Sequence, residues 1–157
     1  MTQEERDLLF LELSERLRYG VKVQTSLFEN PTPIKGITED ECWVYSDEDN
    51  YEWVNIEEVK PYLRPLSSMT EEEEKELKKI HHQFDKGNFV DAGVFSADDC
   101  GCTVFEMSNI LRYLRSRNFD YCGMIDRGLA LVASKDMYAH FGDMKTVIGE
   151  VTHKDRF

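Results

Sequence analysis

His81 and His82, together with Cys100 and Cys102, are residue types that suit a metal ion. Their spacing argues against one. Adjacent helical side chains point about 100° apart, so the two histidines do not converge on one ion, and Cys-Gly-Cys lacks the two-residue spacer of structural zinc sites. A helix C-terminus, where cations are favoured, accounts for the histidines without a ligand. Asp98 and Asp99 beside Cys100 supply the residue types of a base and a nucleophile, but nearness in sequence is not active-site geometry. The chain contains no GxSxG, Walker loop, HExxH or GxGxxG string. The expectation is therefore no metal, no cofactor and no turnover, with a metal- or cysteine-dependent enzyme as the alternative.

Recognition is better supplied. The string CWVY-SDEDN-YEWV is two β-prone runs joined by turn-forming residues. In a register symmetric about the loop, Tyr45 faces Tyr51 and Trp43 faces Trp53, so four aromatics share one side and Cys42, Val44, Glu52 and Val54 share the other. Trp and Tyr are the side chains most enriched in binding hot spots, and Asp47, Glu48 and Asp49 at the tip would attract a basic partner. Rings of this size are also ordinary core, and the expectation is that the first helix or the C-terminal half covers them. Arg112, Arg115 and Arg117 form the densest basic group, suited to an anion or an acidic partner, or to the C-terminal end of their own helix. The runs Glu71–Glu74, Glu39–Glu41 and Asp47–Asp49 read first as solvated surface.

Elements must hold these groups in place. Thr2 and Glu5 make a capping box ahead of Leu9, Leu13 and Leu17, and Gly20 stops that helix. Short strands follow at Val21–Gln24 and Ile34–Ile37, then the hairpin. Ile56–Ser68 holds two prolines and reads as a turn or short helical piece that closes a first lobe. Thr70 opens a helix running to Gly87, with acids first and bases later. Residues 88–102 lack a period, and Thr103 with Glu106 begins a third helix ending near Asn118. A helical turn at Leu129–Ala133 and a strand at Val147–Val151 complete the reading. The fold class is α+β: an N-terminal helix with a small antiparallel sheet over residues 1–69, either an SH3-like barrel or a plain curved sheet, and a mainly helical lobe over 70–157. The two could equally form one compact domain.

Two stretches carry a family likeness: YGVKV at Tyr19–Val23 with VKPYLRPLSSMTEEE at Val59–Glu73, and FDYCGMIDRGLAL at Phe119–Leu131 followed by KDMY. Together they resemble a family of small uncharacterised proteins encoded by gut-dwelling bacteria and their prophages. The resemblance implies a mobile-element setting and brings no activity or site residue with it.

The whole chain sets further bounds. Its 157 residues, 41% of them hydrophobic, can bury a core without staples. Residues 1–69 hold 15 acids and 7 bases, and the full chain carries −12. That charge opposes binding to nucleic acid phosphates. With no signal-peptide core and no long apolar run, a cytoplasmic protein away from membranes is expected. The expected function is a non-enzymatic accessory or interaction protein that binds a protein partner through an acidic and aromatic surface. An acidic, nucleic-acid-mimicking inhibitor of a host protein is the alternative of the same kind, and oligomeric state is not set by these features. In a reducing compartment the four cysteines stay thiols. Titration of the denatured, unreduced chain is expected to find four free thiols, and a Cys100–Cys102 bridge would overturn that account.

Overall fold

The computed structural model describes residues 1–47, 50–81 and 104–138. Glu48, Asp49, His82, Cys100, Cys102, Thr103 and the expected strand at Val147–Val151 lie outside the described residues. The first helix, α1, covers Gln3–Arg16, and its capping box is formed: the Thr2 hydroxyl accepts from the Glu5 amide, and the Glu5 carboxylate accepts from the Thr2 amide. A 3-10 turn at Leu17–Tyr19 ends on Gly20 at φ 67°, the left-handed stop that glycine adopts without strain.

Among the described residues seven strands follow: β1 Lys22–Gln24, β2 Thr32–Ile37, β3 Glu41–Asp47, β4 Asn50–Asn55, β5 Lys60–Pro65, β6 Phe119–Asp120 and β7 Leu131–Val132. They form one sheet of order β4-β3-β2-β1-β5-β6, with β7 also on β5. The fold is thus α+β, and its sheet is mixed rather than antiparallel throughout, because β6 and β7 both pair parallel to β5. Among the described residues β4 pairs only with β3, so the pairings run as an open order and do not show an SH3-like ring.

The segment expected to be irregular supplies the strand that joins everything. Ile56–Glu58 and Leu66–Ser68 are 3-10 turns at its two ends, and Lys60–Pro65 between them is extended. Pro61 and Pro65 sit near its two ends, where a missing N–H costs least, while between them the Leu63 carbonyl accepts from Ala133 and the Arg64 amide donates to the Asn118 carbonyl. Leu129–Ala133, expected as a helical turn, instead contains β7. Short apolar runs fit either conformation, and a place beside β5 decides this one.

Helix α2 spans Glu71–Ile80 and stops well before Gly87. His81 takes extended angles at its C-cap and turns its ring inward, where Nδ1 lies 2.5 Å from Glu106 Oε2. Helix α3 spans Val104–Ser116, and Asn118 at φ 56° ends the run.

Two apolar clusters result. Leu9 and Leu13 of α1 pack on the inner sheet face with Val23, Ile34, Val44 and Leu63. Leu77, Ile110, Leu114 and Phe119 join α2 and α3 to the start of β6, and the Cys122 side chain packs against both clusters. Burial raises the thiols of Cys42 and Cys122 to about 12, so neither is a thiolate at neutral pH. Among the described residues no helix is long and apolar enough to cross a membrane.

Arg16 spans the seam between the clusters. Its side chain is fully buried, holds Glu12 Oε2 at 3.0 and 3.2 Å, and donates to the Phe119 carbonyl at 2.7 Å. Tyr121 donates to Glu12 Oε1 and accepts from Arg115 Nε. Removing one member of a buried ion pair leaves the other uncompensated. Arg16→Met is expected to cost on the order of 3–5 kcal/mol in urea unfolding, and Glu12→Leu/Arg16→Met to cost less than Arg16→Met alone.

Candidate functional site

The hairpin of β3 and β4 has the register its sequence predicts: Trp43 opposite Trp53, Tyr45 opposite Tyr51, Cys42 opposite Val54. Asp47 lies opposite Asn50 after a register shift. The main-chain phase follows from one contact. The Ile56 amide donates to the Asp40 carbonyl at 2.9 Å, so Val54 and Glu52 also direct their main-chain groups toward β3, and the two aromatic pairs occupy the non-hydrogen-bonded positions. Side chains approach more closely there. The Trp43 and Trp53 rings stack 5.6 Å apart at 7°, Trp43 and Tyr51 lie 4.7 Å apart, and Tyr45 and Tyr51 meet edge to face at 5.2 Å.

These rings are not core, which corrects the expectation that helix or lobe covers them. Trp53 is 49% exposed and Tyr51 41%, while Trp43 and Tyr45 are half-buried. Cys42, Val44 and Val54 on the opposite side are buried and form part of the α1 cluster. Small and β-branched side chains fit the gap between a sheet and a helix, and the large rings are left on the outside. Gly36 on β2 assists: a Cβ there would lie 3.3 Å from Trp43 Cε3, so the missing side chain gives the indole its seat. Lys35 places its ammonium 6.0 Å from the Tyr45 ring centre. The ladder therefore already takes one cation on a π face.

Acids dominate the sequence that carries the ladder. The 24 residues from Gly36 to Val59 contain nine Asp or Glu and neither Lys nor Arg, which is most of the net charge of −12. Arg6 of α1 meets Asp40 at 2.6 Å and Glu57 at 3.4 Å. This count over consecutive residues is a sequence signal that the reading of separate acidic loops overlooks.

The three arginines do not form one patch. Arg115 turns to α1 and contacts Tyr121, Glu12 and Glu15. Arg117, beyond the end of α3, turns to α2, lies 3.2 Å from Glu76 and 3.7 Å from Glu73, and covers the Tyr113 ring. Arg112 alone is exposed. Neither Arg115 nor Arg117 serves chiefly as a cap for its own helix, since carboxylates of other helices hold both. Arg64 binds Glu73 through two bonds of 2.8 and 2.9 Å. Burial pushes the Glu73 carboxyl up, but the hydrogen bonds from Arg64 and the Thr70 amide, with the charges of Arg64 and Arg117, outweigh it and hold the group below its usual range. A cleft of about 540 Å³ beside this cluster is lined by Arg64, Arg117 and Lys135 against Glu72, Glu73 and Glu76, three basic and three acidic side chains.

Among the described residues no group of three His, Cys, Asp or Glu side chains could hold a metal ion. Comparison of the chain with family models, curated proteins and solved structures finds no match.

Exposure sets the expected behaviour of the ladder. Trp53→Ala removes cross-strand stacking worth about 1 kcal/mol from a side chain that is 49% exposed and outside the core. Leu63→Ala in the core removes about 2–5 kcal/mol. Thermal melts should show the first variant within a few degrees of the parent and the second far below it; an equal loss for both would return the rings to the core.

Proposed function

We propose that the protein is a non-enzymatic interaction module that binds a macromolecular partner through the outer face of the β3–β4 hairpin. One observation carries the reading: stacked, rigid aromatics stand exposed on a hairpin whose inner face already supplies the core. Trp53 and Tyr51 leave apolar surface in water that the fold had no need to place there, and burying it against a partner recovers roughly 25 cal/mol per Å². Rigid rings also lose little conformational freedom on binding, which makes them efficient anchors. The acids of the same segment raise the encounter rate with a basic partner more than the final affinity. A setting in a bacterial mobile element rests on the resemblance of the Val59–Glu73 and Phe119–Leu131 strings.

The test compares the parent protein with Tyr51→Ala/Trp53→Ala in affinity capture from the cells of origin, read by mass spectrometry. The expected outcome is a macromolecule held by the parent and lost from the double variant, with both proteins equally folded by circular dichroism. Identical captures by two folded proteins would remove the hairpin from the binding surface.

A further inference from the structure

The hairpin ends the sheet, and its last strand has a second edge. The main-chain groups of Val54 and Glu52 point to β3, so by the strict alternation of a strand those of Tyr51 and Trp53 point away from it. Among the described residues no strand pairs with that side. Proteins commonly blunt such an edge with Lys or Pro. β4, with the sequence Asn-Tyr-Glu-Trp-Val-Asn, has neither.

We propose that this edge of β4 takes up a basic, extended segment of a partner protein as an added strand, whose Arg or Lys side chains lie on the rings of Trp53 and Tyr51. The inference rests on the hairpin being the binding surface and specifies what binds there. Three features select this occupant. The outward N–H and C=O groups of Tyr51 and Trp53 offer ladder bonds that only an extended backbone matches. The segment from Gly36 to Val59 carries nine acids, of which Arg6 meets only two, and no Lys or Arg, so its net charge favours a basic strand. Lys35 over Tyr45 shows the same cation-on-ring contact within the chain, one strand pair further in. A second copy of this chain is disfavoured as the occupant, because edge-to-edge pairing would set nine acids against nine.

The test uses the full chain and synthetic peptides of about eight residues, the length of an ordinary strand, that alternate arginine with valine. Four peptides are compared by fluorescence anisotropy: the parent peptide, two versions N-methylated at alternate residues along one edge or the other, and a glutamate-for-arginine version. Binding by the parent peptide is expected, weakened about tenfold or more by N-methylation on one of the two edges and abolished in the acidic peptide. Slowed amide exchange at Tyr51 and Trp53 should accompany binding. Binding as tight as the parent's by the N-methylated peptides of both edges, or no binding of the parent peptide at all, overturns strand addition. Dimerisation of the protein alone that Trp53→Ala abolishes also overturns it, by placing a second copy on the edge. Failure of the underlying reading looks different: the parent peptide binds and slows exchange elsewhere, and Tyr51→Ala/Trp53→Ala leaves its affinity unchanged.

Discussion

The arrangement depends on a charged group that has been taken out of water. Arg16 ends the first helix at full burial, and its guanidinium holds Glu12 on one side and the Phe119 carbonyl on the other. Buried charge is tolerable only when paired and hydrogen-bonded, so this contact restricts where β6 can lie relative to α1. Tyr121 and Arg115 extend the restriction to α3. Burial, reinforced by the Glu12 charge, drives the Tyr121 hydroxyl far above its usual range, so it remains a donor to Glu12.

A second charged seam repeats the scheme between β5, α2 and the end of α3. Arg64 joins the strand to the first turn of α2 through Glu73, which also closes the capping box with Thr70. Arg117 and Tyr113 both reach Glu76. Each carboxylate thus serves a helix and a neighbouring element at once. Tyr138 closes a third link, accepting from the Lys22 amide and donating to the Tyr62 carbonyl across β1 and β5. Charged groups of the interior are thus committed to joining elements, whereas the outer rings of the hairpin contact chiefly one another.

The outer face of the hairpin is separate from what holds the remainder together, because Cys42, Val44 and Val54 on the inner face supply its core contacts. Val54 alone in β4 is buried, and Glu52, on the same inner side nearer the tip, is exposed. The strand pair therefore extends past the core it helps to close. Its outer ladder is held by its own cross-strand stacking and by the space at Gly36. A surface built in this manner can change with little penalty to the fold.

Local chemistry made much of this legible in the sequence. The Thr2–Glu5 capping box, the Gly20 stop, the second and third helices and the hairpin register each depend on residues within a few positions of one another. What tertiary structure decided lies where local signals are silent or balanced. Both faces of the hairpin are apolar, and only the width of the space under α1 put Cys42, Val44 and Val54 inside and Trp43, Tyr45, Tyr51 and Trp53 outside. β5 became a strand despite two prolines because β1, β6 and β7 supply its partners, and the last two arrive from residues 119–132. Arg115 and Arg117 read as one basic patch, yet Glu12 and Glu76, far away in the chain, draw them to opposite sides of α3. Periodicity and capping encode what a segment can form; which face is buried and which charges pair depend on contacts between residues distant in sequence, and those exist only once the chain has folded.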